Sequence, residues 1–194
     1  MNVYDFDGTI YDGDSTIDFF LYALRRKPSL IRCGPRQLWG FVLYGLKKIN
    51  RTKLKEYFFS FLPAIDAEAL AEAFWTQNQH KIFDWYLTQQ KEDDIIISAS
   101  PSFLLTPICK RLSISRLLAS DVDPRTGAFA GENCRGQEKV RRLKSEYKVT
   151  HIDCFYSDSR SDLPLANIAD KAFLVKNGVV NEWKGVYEQS RSIY

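Results

Sequence analysis

Long apolar runs are missing from this chain of 194 residues. The longest, Leu38–Leu46, has nine residues, whereas a helix needs about 20 to cross a bilayer. The four cysteines form no C-x-x-C pair and show no metal-ligand spacing, so neither a disulfide framework nor a zinc site is indicated. The first residues resemble no targeting segment. We therefore expect reduced thiols and a cytoplasmic location.

Acidic residues are missing from one segment. Arg25–Lys55 holds ten basic residues and no Asp or Glu, so the remainder of this +3 chain carries a net charge of −7. Such a charge split indicates a partner or a function more than a fold. Because Trp39, Phe41 and Tyr44 lie among these cations, two interpretations stay open. The segment is either a surface for anionic lipid headgroups, or a helical core whose cations are solvated. A nucleic-acid partner is not expected, since no binding motif is present.

Five short β-type runs alternate, after the first, with helix-like stretches, and this order predicts an α/β fold with a mostly parallel sheet flanked by helices. The predicted strands are Asn2–Phe6, Asp94–Ser98, Arg116–Ser120, Ile152–Ser157 and Lys171–Val175. Predicted helices cover Pro101–Leu112 and Gly136–Tyr147, and a shorter one begins near Asp162. An Asn-Gly pair within Val175–Val180 predicts a tight hairpin, and a second hairpin is predicted within Asp121–Gly131.

About 75 residues without a convincing strand separate the first two strands, far more than a crossover needs. The segment predicts helices from Ser15 through Lys27, with Ser15 and Asp18 as a capping box, over Pro35–Ile49, and from Asp66 through Gln90. We therefore predict an inserted α-helical cap at 14–91 and an α/β core at 1–13 and 92–194. Ligands of open α/β sheets bind at the carboxyl edge of the strands, where the cap would lie.

Polar side chains gather where four predicted elements end or begin. They are Asp5 and Asp7 at the end of the first strand, Ser98 at the end of the second, Lys139 in the first turn of the helix after "NCRG", and Asp158 and Asp162 at the end of the fourth strand. Each has an ordinary alternative as a turn residue, a helix cap or a solvated side chain. Because the carboxyl ends of parallel strands share one edge, we expect the clusters to converge there.

The chemistry of the converged residues is coherent. Asp5, Asp7 and Asp158 repel one another unless a hard cation lies between them, and oxygen ligands favour Mg²⁺. Ser98 and Lys139 offer a hydroxyl and a positive charge to an anion at the same place. A carboxylate beside a phosphoryl group can attack phosphorus and form an aspartyl-phosphate. A second acid can then move the protons of the leaving group and the incoming water.

Four stretches, "DFDGT", "IIISAS", "CRGQEK" and "YSDSRSD", together resemble the ordered motifs of the haloacid dehalogenase superfamily, in its phosphoserine-phosphatase-like branch. The resemblance covers the whole chain and implies a Rossmann-like sheet, a helical cap and Mg²⁺-dependent phosphatase activity. The dehalogenases of this superfamily lack the second acid, because a halide leaves without a proton. Asp7 is present here, so phosphate chemistry is favoured.

The resemblance also implies a role for each matching residue. Asp5 is the nucleophile and a metal ligand, Asp7 the general acid/base that also gives a backbone carbonyl to Mg²⁺, and Asp158 a metal ligand. Phosphate is expected to be bound by Ser98, Lys139, Gly8 and Ala99, and Asp162 to support Lys139 or a metal-bound water. Ser157 departs from the pattern, which has glycine before the metal-binding Asp.

The substrate stays open between two kinds of phosphate monoester. One is a small phosphoserine-like metabolite, with Asp14 as a candidate contact for its ammonium group. The other is a lipid phosphate such as phosphatidylglycerophosphate, which the basic cap would meet at the inner face of an anionic membrane. Two other functions also stay open: a phosphotransferase or phosphomutase of the same superfamily, and a non-catalytic module that binds phosphate or Mg²⁺.

Overall fold

The structure, a computed structural model, describes residues 1–183, which form one six-stranded sheet flanked by helices. The strand order is β3-β2-β1-β4-β5-β6, and neighbouring strands are parallel except β5 and β6. The predicted α/β architecture is thereby confirmed. The strands are β1 (Asn2–Tyr4), β2 (Ile95–Pro101), β3 (Arg116–Ser120), β4 (Ile152–Ser157), β5 (Ala169–Lys176) and β6 (Val179–Glu182).

The α-helices fall into two sets along the chain. Those between β1 and β2 are α1 (Ser15–Arg26), α2 (Gly34–Gly45), α3 (Arg51–Phe58), α4 (Ala67–Asn78) and α5 (Asp84–Gln89). Those that follow later strands are α6 (Ser102–Arg111), α7 (Gln137–Tyr147) and α8 (Leu163–Ala166). Within residues 1–183, every helix is too short or too polar to cross a membrane.

The first strand is shorter than predicted, because β1 ends at Tyr4 and not at Phe6. The backbone N–H of Asp5 still donates to the carbonyl of Tyr156 at 2.9 Å. The N–H of Phe6 donates instead to the carboxylate of Asp5, and its carbonyl accepts from the loop that follows. With both backbone groups of Phe6 occupied, the chain leaves the ladder and Asp7 lies outside the sheet.

The Asn-Gly hairpin is confirmed. Asn177 and Gly178 both have positive φ, 49° and 76°, which a tight hairpin turn requires of its two central residues. The turn joins the antiparallel strands β5 and β6. The hairpin predicted within Asp121–Gly131 is reduced to a single bridge between Val122 and Phe129.

Helix α1 begins with a different cap from the predicted capping box. Asp14 is the N-cap, and its carboxylate accepts from the N–H of Ile17 at 3.0 Å. Ser15 is the first helical residue, and its N–H donates to Asp7. The prediction was wrong because Asp14, one residue earlier, satisfies the free N–H groups of the first turn.

The long helix predicted from Asp66 through Gln90 is broken into α4 and α5. The backbone of the break pairs with the loop after β1: the N–H of Asp12 donates to the carbonyl of Lys81, and the N–H of Phe83 to that of Ile10. These long-range bonds occupy groups that a continuous helix would need, which is why the helix prediction fails here.

Part of the insert shares the hydrophobic core of the sheet. Trp75 of α4 is fully buried, packs edge-to-face against Phe6 and Tyr11, and donates its indole N–H to the carbonyl of Leu104 at 2.6 Å. One cluster of buried residues therefore joins the inserted helices to β1, β2 and α6. The proposed boundaries of cap and core, 14–91 and the remainder, stay a prediction.

Helix α2 does not form the core of the insert. Trp39 is 56% exposed and Phe41 53% exposed. Leu38 and Leu46 are also exposed, whereas Gln37 and Gly40 are the buried residues of the helix. The interpretation of Trp39 and Phe41 as a helical core is therefore wrong, because α2 turns its small and polar face inward.

We expect Trp75→Ala to lower the free energy of unfolding by about 3–5 kcal/mol, because it removes a large buried ring. Trp39→Ala is the matched control, and it should change the free energy of unfolding by less than about 0.5 kcal/mol. Urea unfolding followed by circular dichroism measures both. Equal losses for the two variants would contradict their placement in the structure.

Candidate active site

A cavity of about 400 Å³ opens beside the carboxyl ends of β1, β2 and β4. Core and inserted helices both contribute to its wall. The polar residues that line it include Asp5, Asp7, Ser100, Lys139, Asp158 and Asp162 from the core, and Asp14, Arg51 and Lys55 from the insert. The topology therefore brings together carboxylates that lie more than 150 positions apart in the chain.

A buried chain of charges forms the floor of the site. The ammonium of Lys139 lies 2.9 Å from Oδ1 of Asp5 and 2.7 Å from Oδ2 of Asp162, and Lys139 and Asp162 are each only 1% exposed. Burial alone would lower the pKa of Lys139, but its two carboxylate partners raise the pKa above the ordinary value. Burial raises the pKa of Asp5 to about 8, although Lys139 opposes this rise.

Asp7 is held by two hydrogen bonds. The backbone N–H of Ser15 donates to its Oδ1 at 2.7 Å, and the hydroxyl of Ser100 donates to its Oδ2 at 2.5 Å. Burial, and then the nearby charge of Asp14, raise the pKa of Asp7, whereas the bonds from Ser100 and Ser15 lower it. The carboxyl group of Asp7 is thus fixed in orientation from both sides.

Asp158 reaches the same cavity from the end of β4. Its backbone N–H donates to the hydroxyl of Thr9 at 2.8 Å, which ties this strand end to the loop after β1. Gly8 leaves room for the carboxylate: a Cβ at Gly8 would lie 2.6 Å from Oδ2 of Asp158, and its φ is +69°. Burial raises the pKa of Asp158, opposed by Lys176.

The predicted phosphate contacts Ser98, Gly8 and Ala99 differ in their position relative to the cavity. Ala99 lines the cavity, whereas Ser98 and Gly8 do not. Ser98 is fully buried, and its hydroxyl accepts from the N–H of Ser100 at 3.0 Å. The N–H of Gly8 donates to the carbonyls of Tyr11 and Gly13 within the loop. The phosphate contacts of Ser98 and Gly8, which lie outside the cavity lining, stay a prediction.

The sequence did not single out two residues that the structure brings to the site. Ser100 lies two positions after Ser98, so the two-residue period of a strand could have placed both on one face. No neighbouring residue in the sequence marks Lys55 of α3 as a site residue, because its partners are remote in the chain. Its ammonium donates to the carbonyl of Ala99 at 2.7 Å and to Asn133 Oδ1 at 3.0 Å. Burial lowers the pKa of Lys55 to about 8, against the attraction of Asp7 and Asp14.

The residues present fit a hard divalent cation. The acidic side chains at the cavity offer only oxygen atoms, and Mg²⁺ prefers such ligands. Burial raises the pKa of Asp5, Asp7 and Asp158 alike, and Lys139 at Asp5 and Lys176 at Asp158 oppose this rise without cancelling it. Among residues 1–183, Oδ1 of Asp162 is buried without a hydrogen-bond partner, which suits a bound water.

Comparisons with known proteins agree with this geometry. The family profile of the haloacid dehalogenase-like hydrolases matches residues 3–167. Protein CicA of Caulobacter vibrioides is 30% identical to this chain, and the match covers 87% of this chain and 82% of that protein.

Two solved structures are similar in fold. A protein of unknown function from Bordetella pertussis Tohama I has a TM-score of 0.70 and 20% identity, covering 99% of this chain and 94% of that one. A phosphoserine phosphohydrolase-like protein from Francisella tularensis subsp. tularensis SCHU S4 has a TM-score of 0.56 and 16% identity, covering 89% and 86%.

The profile match includes every acidic residue that lines the cavity, together with Lys139. It also spans the carboxyl ends of β1, β2 and β4, which lie beside the cavity. The resemblance found in the four sequence motifs is thereby confirmed, and the chain belongs to the haloacid dehalogenase-like hydrolase family.

Proposed function

We propose that this protein is a Mg²⁺-dependent phosphatase that hydrolyses a phosphate monoester through an aspartyl-phosphate on Asp5. One observation carries the proposal: Asp5 and Asp7 from the loop after β1, Asp158 from the end of β4 and Lys139 from α7 converge on a single cavity. Membership of a hydrolase family and the fold of a phosphoserine phosphohydrolase-like protein support it.

Asp5 is the proposed nucleophile. Its Oδ1 is held by Lys139 and by the N–H of Phe6, and among residues 1–183 no hydrogen bond falls on Oδ2. Oδ2 is therefore the oxygen available to attack phosphorus. As the new O–P bond forms, the bond from phosphorus to the ester oxygen breaks, and the leaving alkoxide takes a proton from Asp7.

Asp7 then works in the opposite direction. As a carboxylate it accepts a proton from a water molecule, whose oxygen attacks phosphorus while the bond from phosphorus to Asp5 breaks. Inorganic phosphate and free Asp5 result. The hydrogen bonds from Ser15 and Ser100 keep Asp7 oriented through both steps.

Positive charge at the site has two sources in this proposal. Lys139 balances the negative charge that gathers on Asp5 and the phosphoryl group. Mg²⁺, held by Asp5, Asp158 and the backbone carbonyl of Asp7, would neutralise phosphate oxygens and favour attack by an anion.

The proposed substrate is a phosphate monoester, either a small phosphometabolite or a lipid phosphate. Asp14 and Lys55 line the cavity and could contact other polar groups of that substrate. A cytoplasmic protein, with contact to the inner membrane face, stays the expected setting. A phosphotransferase would differ only in passing the phosphoryl group to an acceptor other than water. A non-catalytic module would retain binding without turnover.

We expect hydrolysis of p-nitrophenyl phosphate to require Mg²⁺, because Asp5, Asp7 and Asp158 face one cavity and offer oxygen ligands. Chelation with EDTA should abolish release of free phosphate, and excess Mg²⁺ should restore it. Full turnover by protein freed of metal would contradict the proposed metal site.

We expect Asp5→Asn to abolish turnover, because an amide cannot form the acyl phosphate. Asp7→Asn should slow an alkyl phosphate by a factor of roughly 10² to 10⁴, since proton transfer is lost. Its effect on an aryl phosphate should be smaller, because a phenolate leaves without a proton. Single-turnover kinetics on both esters measures this difference.

The matched control is Asp12→Asn, which alters an exposed carboxylate of the same loop outside the cavity. It should leave both rates unchanged. Equal slowing of the aryl and alkyl esters by Asp7→Asn would mean that Asp7 is not the acid.

We expect Lys139→Met to destabilise the fold by about 3–5 kcal/mol as well as to impair turnover, because it leaves two buried carboxylates without their cation. Adding Asp162→Asn should recover part of the stability but not the activity. Lys144→Met, exposed on the same helix, is the control. Urea unfolding checks the stability, and an unchanged midpoint for Lys139→Met would contradict the charge network.

A further inference from the structure

Helix α2 presents an apolar stripe to solvent. Leu38, Trp39 and Val42 of α2 and Leu46, which directly follows it, recur at helical spacing, and they are 65%, 56%, 43% and 60% exposed. A helix on the surface of a globular protein normally turns such a stripe towards the core. Here the usual orientation is reversed, and exposed apolar patches of this kind mark interaction sites.

The packing of α2 on α3 fixes this orientation. Gly40 lies so close to α3 that a Cβ on it would fall 2.4 Å from the Cβ of Tyr57. Gln37, on the same buried face, donates its side-chain amide to the carbonyl of Phe58 at 2.8 Å. Because glycine and glutamine occupy the contact with α3, the larger apolar side chains must point outward.

Cations flank the stripe at both ends. Arg32 and Arg36 lie at its beginning, and Lys47 and Lys48 at its end, and all four are exposed. Within residues 1–183 none of them has a carboxylate at ion-pair distance. We call the four apolar residues and these four cations the α2 surface.

The α2 surface adjoins the mouth of the cavity. Phe41 of α2 and Arg51 of α3 both line the cavity, and both are exposed to solvent. Leu54 and Phe58 extend the apolar lining inward from the same side. A molecule lying on the α2 surface would therefore have its polar group close to the entrance.

We propose that the α2 surface docks on an anionic lipid bilayer, and that the phosphate monoester reaches the site from that membrane. The second part rests on the proposed phosphatase function, whereas the docking does not. Exposed apolar side chains that include a tryptophan, with unpaired cations at both ends, are suited to the headgroup region of an anionic bilayer. A second copy of the chain is disfavoured, because a twofold contact would bring two all-basic segments together.

The test is co-sedimentation of metal-free protein with phosphatidylcholine vesicles, with and without about one third phosphatidylglycerol. We expect binding to the anionic vesicles alone, at about 50 mM NaCl, and loss of that binding at about 500 mM NaCl, where charges are screened. Trp39 emission should shift to the blue on binding, because the other tryptophans in residues 1–183 are less exposed. Trp39→Phe should remove the shift and keep the binding.

Two matched variants separate the α2 surface from general charge. The first variant removes the four cations of the α2 surface by changing Arg32, Arg36, Lys47 and Lys48 to Gln. It should bind anionic vesicles about a hundredfold or more weakly, given the usual contribution of each cation near a membrane. The second variant loses the same charge outside the α2 surface, by changing Lys91, Lys110, Lys144 and Lys171 to Gln. It should bind the vesicles as the parent protein does. Turnover of p-nitrophenyl phosphate should be the same in both variants.

Three results would overturn the docking proposal. The first is that the parent protein does not bind anionic vesicles at low salt. The second is an equal loss of vesicle binding in the two variants. The third is a dimer, seen by sedimentation velocity, that the first variant no longer forms. Because Asp5→Asn should still bind vesicles, a failure of docking and a failure of the phosphatase proposal give different results. The lipid substrate would be overturned if the protein binds vesicles and hydrolyses water-soluble glycerol 3-phosphate but leaves vesicle-borne phosphatidic acid intact.

Discussion

Buried negative charge is the constraint on which the rest of this structure depends. Asp5 and Asp162 are removed from water, and a lone buried carboxylate is costly unless a cation compensates it. Lys139 supplies that compensation from the first turn of α7, at 2.9 Å and 2.7 Å from the two carboxylates. A cation there opposes the helix dipole, so its position makes sense only with these anions opposite it.

The parallel sheet is what makes this charge network possible. β1 and β4 are neighbours, so Asp5 and Asp158 leave the sheet side by side although they are far apart in sequence. Gly8 then admits the carboxylate of Asp158, at a place where any side chain would collide with it. The fold concentrates acidic side chains at one edge of the sheet, and this is the edge at which the proposed Mg²⁺ and phosphate would bind.

Features that depend on neighbouring residues could be predicted from the sequence. The Asn177-Gly178 turn follows from local backbone preference, and the parallel sheet follows from the alternation of strands and helices. Features set by remote partners could not be predicted in this way. The loop after β1 breaks the helix predicted from Asp66 through Gln90, and the site contact of Lys55 depends on Ala99 and Asn133. The outward stripe of α2 likewise depends on how tightly Gly40 packs against Tyr57.

In the proposed reaction, Asp5 carries the phosphoryl group during turnover. The most direct measurement is acid quench of the Mg²⁺-loaded protein within a single turnover of an aryl phosphate, followed by peptide mass spectrometry. We expect a phosphoryl group on the peptide that contains Asp5, localised to that side chain, which forms before free phosphate appears and decays as free phosphate is released. A phosphoryl group on any other residue, or free phosphate released at full rate with no phosphorylated peptide, would contradict it.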